Sequence, residues 1–154
     1  MLKSDYGTQN CSIARALELV GERWTLLVLR EAFLGVRRFD AMQAKLGVAR
    51  NVLSARLDRL VREGILDKVP YSERPLRHEY RLADKGLDLW PVIVELLLWG
   101  DRYAAPNGPP IVIRHKGCGG ELGDRRTCAR CGAQLTARDV RAEPGPGLVA
   151  AGGW

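Results

Sequence analysis

Apolar residues recur at helical spacing from the start of the chain. Ile13, Leu17 and Val20 share one face of residues 12–20, with Ser12 placed to cap that helix. Residues 24–33 are apolar nearly all round, which suits the central helix of a small three-helix core with Trp24 inside it; Gly35 ends the segment. Phe39, Met42 and Leu46 mark a shorter helix, closed by Gly47. In the following helix Val52, Leu53, Leu57, Leu60 and Val61 fall on one side. Asn51, Ser54, Ala55, Asp58, Arg59 and Arg62 fall on the other, with Arg50 at the N-terminal end. Gly64 stops it, and residues 65–70 and 78–82 read as two short strands around the loop SERPLR. Two helices around a glycine turn, then a hairpin, is the order of a winged helix-turn-helix.

Beyond the hairpin, Leu87, Trp90, Ile93, Val94, Leu97, Leu98 and Tyr103 make an apolar surface broader than one small domain covers. We read it as an interface between two copies of the chain, against the alternative of an internal core helix. Pro91 is expected to kink or break it. Residues 104–110, AAPNGPP, read as a linker, 111–141 as a very small second module, and 142–154, AEPGPGLVAAGGW, as a flexible tail. The fold class is therefore mainly α (α+β), with a winged domain and its dimerisation helices at 1–103.

Charge sharpens this picture. The 154 residues carry a net charge of +6, and the positive side chains cluster between Arg37 and Arg62. The net charge fits an anionic partner without choosing between nucleic acid and membrane. Its clustering is what a phosphate-binding surface requires, so DNA and no membrane is the expected partner. No apolar run is long enough to cross a bilayer, and MLKSDYGTQN lacks the apolar core of a signal peptide, so a cytoplasmic location is expected. On the exposed helix face Arg50 suits guanine O6 and N7, Asn51 suits adenine, Ala55 suits a thymine methyl, and Ser54 completes the candidate base contacts. Arg37, Arg38, Arg59 and Arg62 are candidates for phosphate, and Arg74 and Arg77, around Pro75, for wing contact with the minor groove or backbone. His78 has no nucleophile or paired carboxylate beside it and reads as structural or phosphate-facing rather than catalytic.

The second module has its own chemistry. His115-Lys-Gly-Cys118 and Cys128-Ala-Arg-Cys131 each space two ligands by two residues, and each is followed by a glycine. Three thiolates and one imidazole form a closed tetrahedral set, typical of structural Zn²⁺ and resembling a zinc ribbon. The competing reading is a redox dithiol at Cys128 and Cys131, which lacks the βαβ context of thiol oxidoreductases. What the module does stays open: it stiffens a dimer, touches DNA through Arg125, Arg126 and Arg130, or recruits a partner.

The segments CSIARALELVGERWTLLVLRE, RRFDAM, NVLSARLDRLVREGIL and YSERPLRHEYRLADKGLDLWPVIVELLLWG resemble the HxlR branch of the MarR-like winged helix-turn-helix regulators. The resemblance implies a homodimeric bacterial transcription regulator on a palindromic double-stranded operator, with repression as the usual sign and no enzymatic activity. Two positions depart from the family: Ala49 replaces a serine-type cap, and Ala83 replaces a threonine whose capping role Asp84 takes over. The resemblance also implies redox sensing by Cys11, which stands just before a helix N-terminus, where the helix dipole favours a thiolate. The alternatives are a buried, inert Cys11 with release by a small aromatic ligand in a dimer cleft, or a protein-interaction module that no longer reads DNA.

Overall fold

The structure, a computed structural model, describes residues 6–150. They divide into two compact units, one ending at Gly86 and one beginning at Leu87, whereas the composition suggests a boundary near residue 103.

The first unit has four helices and a hairpin: α1 (Ser12–Val20), α2 (Thr25–Phe33), α3 (Phe39–Leu46), α4 (Arg50–Arg62), β1 (Leu66–Glu73) and β2 (Leu76–Leu82). The central helix is α2, which packs against α3, α4 and β2. Its Val28 and Leu29 are wholly enclosed, as are Met42 of α3 and Leu53 and Leu57 of α4. These close-packed side chains fix how α3 and α4 cross. Glu31 of α2 is also buried, and its Oε1 accepts from Arg30 Nε at 2.9 Å and Nη2 at 2.6 Å, which offsets the cost of enclosing a carboxylate. Ser12 is the first residue of α1 and not its cap; Cys11 holds the cap position, without a side-chain hydrogen bond.

The hairpin is longer than the sequence suggests. Its antiparallel register runs from Leu66↔Leu82 to Glu73↔Leu76, with an irregularity between Pro70 and Ser72. Pro70 has no N–H for the ladder, so a simple alternation fails there although pairing resumes beyond it. Arg74 and Pro75, joined by a cis peptide bond, are left at the tip. The amide of Tyr80 donates to the Arg37 carbonyl at 2.7 Å, tying the wing to the turn before α3.

After a short helix α5 (Asp84–Leu87), α6 (Trp90–Tyr103) starts with Pro91 in its first turn. Proline there needs no backbone donor, so it begins the helix rather than kinking it. Trp90 and Val94 are buried, whereas Val92, Leu96, Trp99 and Tyr103 are exposed. Of the residues assigned to an interface from sequence, only Tyr103 lies on this exposed stripe.

Strands β3 (Ile111–His115) and β4 (Val140–Pro144) pair antiparallel, and α7 (Pro146–Ala150) packs on β3. This corrects the expectation of a flexible tail from Ala142; only residues 151–154 of that stretch lie outside the described residues. The glycines that suggest flexibility serve close approach instead. The amide of Gly147 donates to Pro109 at 3.2 Å, and a Cβ on Gly147 would lie 2.0 Å from the Gly108 carbonyl oxygen. Among the described residues no helix is long and apolar enough to cross a membrane.

Candidate DNA interface and metal centre

Burial of Leu53, Leu57 and Leu60 turns the opposite face of α4 outward. Arg50, Asn51, Ser54, Ala55, Asp58 and Arg62 are all exposed there. Ala49 at the cap position makes no side-chain hydrogen bond, so the first-turn amides of α4 lack the partner that a serine would supply.

Arg50 is held from α3. Its Nη1 donates to Asp40 Oδ1 at 3.0 Å and Gln43 Oε1 at 3.1 Å, and its guanidinium lies 4.7 Å from the centre of the Phe39 ring. These contacts occupy one nitrogen and one face of the fork. Sequence reasoning does not find this cradle. Its signal is the placing of Phe39, Asp40 and Gln43 on one side of α3, which becomes meaningful only once the crossing of α3 and α4 is known.

Arg59 occupies a different place from the one expected. Its Nη2 donates to the Glu18 carbonyl at 2.5 Å and its Nη1 lies 3.7 Å from Glu22 Oε1, while Arg56 pairs with the same carboxylate. Both arginines join α4 to the end of α1. Arg59 is thus turned toward the end of α1, and a phosphate would have to compete with these partners for it. Arg37 and Arg38 are exposed; the Arg38 guanidinium lies 4.3 Å from the Tyr71 ring centre, linking the α3 turn to the wing. Arg74 and Arg77 are exposed at the wing tip, His78 is half-buried opposite Pro70, and Cys11 is an exposed free thiol.

In the second unit the four sequence-predicted ligands converge. The donor atoms of His115, Cys118, Cys128 and Cys131 all lie within 4.8 Å of one another. His115 Nδ1 is 3.3 Å from Cys118 Sγ and 3.4 Å from Cys131 Sγ, and the Cys118 and Cys128 sulfurs are 3.4 Å apart. Ligands at about 2.0–2.3 Å from a tetrahedral zinc would stand only slightly further apart, at roughly 3.5–3.8 Å. Two matching turns shape the site. The Gly119 amide donates to the His115 carbonyl and the Gly132 amide to the Cys128 carbonyl, both at 2.8 Å, and both glycines have φ of 74°. A Cβ on Gly120 would fall 2.5 Å from Cys128 Sγ, so the cradle requires glycine there.

The backbone amide of Cys131, with that of Arg130 and the neighbouring Cys118 and His115 side chains, lowers the Cys128 thiol to about 6. For Cys118 the Gly120 amide pulls down, but proton sharing with Cys128, burial and the Cys131 contact outweigh it and raise the thiol. One thiol of the pair thus gives up its proton readily, as metal binding needs. These residues fit a metal ion.

The sequence profile of the HxlR-like helix-turn-helix family matches residues 19–108, the span that contains α2–α6 and the hairpin. The chain belongs to the HxlR-like family. A regulator of the same kind from Mycobacterium tuberculosis, the uncharacterized HTH-type transcriptional regulator Rv3095, is 56% identical over 140 residues, covering 90% of this chain and 89% of its own. The crystal structure of PA1607, a candidate transcription factor, superposes with a TM-score of 0.69 at 37% identity over 87% of this chain and 94% of that one. The reduced form of the transcriptional regulator YodB from Bacillus subtilis matches with a TM-score of 0.53 at 27% identity, over 64% of this chain and 93% of that one. HxlR-like proteins are DNA-binding transcriptional regulators and not enzymes, and this chain is one of them.

Proposed function

We propose that the chain is a cytoplasmic, homodimeric repressor that reads a palindromic operator with Arg50, Asn51, Ser54 and Ala55 of α4. Arg37, Arg38 and Arg62 rest on phosphates, and Arg74 and Arg77 on the wing reach the adjacent backbone or minor groove. The observation that carries this reading is the face of α4: Arg50, Asn51, Ser54, Ala55 and Arg62, with the acidic Asp58 among them, stand exposed opposite Leu53, Leu57 and Leu60. The exposed stripe of Val92, Leu96, Trp99 and Tyr103 supports pairing of two copies, which sets two recognition helices against two half-sites.

His115, Cys118, Cys128 and Cys131 hold a structural Zn²⁺. Four protein ligands leave no open position for water, so the metal supplies folding energy to a module whose own core is small. An oxidant or electrophile acting at Cys11 is the inducing signal we favour. Cys11 is exposed at the start of α1, and YodB, a relative in fold and sequence, is described in a reduced form.

Selection of bound sequences from a random duplex pool, with metal-replete protein at near-physiological salt, tests the reading. An enriched palindrome with half-sites about one helical turn apart is the expected outcome. Binding that fades with salt and enriches no sequence would reduce the α4 face to electrostatics.

A further inference from the structure

Between the two metal-ligand turns the chain reverses through Asp124-Arg125-Arg126-Thr127. The Thr127 amide donates to the Asp124 carbonyl at 3.2 Å, and Arg125 and Arg126 have φ of 56° and 58°. Positive φ at both central residues is the backbone of a type I′ hairpin turn, which favours Asn-Gly because a Cβ is disfavoured in the left-handed region. Two arginines therefore occupy the positions least suited to them. The conformation is held from outside the turn. Gln134 Nε2 donates to the carbonyls of Arg125 at 2.9 Å and Arg126 at 3.2 Å, and the Leu135 amide donates to Arg126 at 2.8 Å. The Thr127 hydroxyl adds a bond to the Asp124 carbonyl at 2.7 Å.

The side chains are not what stabilises the turn. Among the described residues Arg125 is exposed and forms no ion pair. Arg126 reaches Glu95 at 3.3 Å, with the carboxylate side chain 57% exposed, an attraction that water screens and another anion can displace. Elsewhere in the module Arg114 and Arg141 are already paired with Glu121 and Glu143. A turn that keeps unfavourable residues and spends neighbouring hydrogen bonds on holding them is the pattern of strain retained for a task.

We propose that the Arg125-Arg126 turn is a second DNA contact, gripping backbone phosphates of the duplex outside the base pairs that α4 reads. Guanidinium forks match phosphate oxygens in geometry and charge. DNA is the partner favoured over an acidic protein because α4 binding to the duplex raises the local phosphate concentration around a tethered module. The contact adds affinity and salt dependence and carries no base preference. It rests on DNA binding by the winged unit.

The test uses the full chain with its metal and a duplex of about 40 base pairs of arbitrary sequence, with affinity followed across salt concentrations. The double variant Arg125→Asn/Arg126→Gly suits the turn and removes the charge. It should keep its metal and melt no lower than the parent. It should bind the duplex more weakly, with the slope of log affinity against log salt smaller by about one for each phosphate that is no longer neutralised. The variant Arg125→Lys/Arg126→Lys keeps the charge and should keep most of the slope. An Asn-Gly variant with unchanged affinity and slope would overturn the proposal and point to a non-DNA partner. A Lys-Lys variant with as small a salt slope as Asn-Gly would overturn it too, because charge kept on backbone phosphates must keep the slope. Failure of the parent itself to bind the duplex would overturn the winged-unit reading along with it.

Discussion

Arg50 and Arg59 lie on the same helix, and their surroundings separate them. Arg50 is contacted by Asp40, Gln43 and Phe39 at an exposed surface where water screens the ion pair, so one nitrogen is engaged and the rest of its fork is free to meet a base. Arg50→Ala should lower affinity for the selected operator by roughly 1–3 kcal/mol while leaving random duplex almost unaffected. Equal losses on both DNAs, in side-by-side titrations, would place Arg50 on phosphate. Arg59 is tied to Glu18 and Glu22, so Arg59→Ala should instead cost about 1 kcal/mol of stability, seen in denaturant unfolding, and leave the salt dependence of DNA binding intact. Which face of α4 is buried was legible from the spacing of Leu53, Leu57 and Leu60. Which exposed arginine is already occupied was not, because the carboxylate and carbonyl partners come from α1 and α3, far away in sequence.

At the scale of elements, the metal-ligand turns were fully legible. Both ligand pairs sit within four residues, so local spacing alone carries the information. The tail was not legible. Proline and glycine mark flexible chain and also mark places where backbones touch, and only the partner decides which. Here the amides of Gly145 and Gly147 seat on Pro110 and Pro109, and β4 completes a sheet with β3. Chelation of the metal should therefore unravel β3, β4 and the turns between them, while the helices and hairpin of the first unit keep their own core. Far-UV circular dichroism and amide exchange before and after chelation would show this. A ribbon that stays protected without metal would mean that the ion is not its source of stability. Cys128→Ser, which removes the buried ligand, should act as chelation does.

For the molecule as a whole, Trp99 decides the matter. It is 62% exposed on α6, and its ring centre lies 5.4 Å from that of Tyr103. Two large rings exposed side by side make this stripe the proposed face for a second copy of the chain. Trp99→Glu should shift the protein to monomer in sedimentation and weaken binding to the full palindrome far more than to a single half-site; an unchanged dimer would place the interface elsewhere. Sequence spacing identifies the helix, but of the residues it assigns to a shared face Trp90 and Val94 are buried and only Tyr103 stands on the exposed stripe. The closing of the metal centre has a separate consequence for assembly. All four candidate ligands lie between His115 and Cys131, so a single chain suffices to hold an ion. Metal content should stay at one ion per chain at every dilution, even where dimers, and with them operator occupancy, fall away.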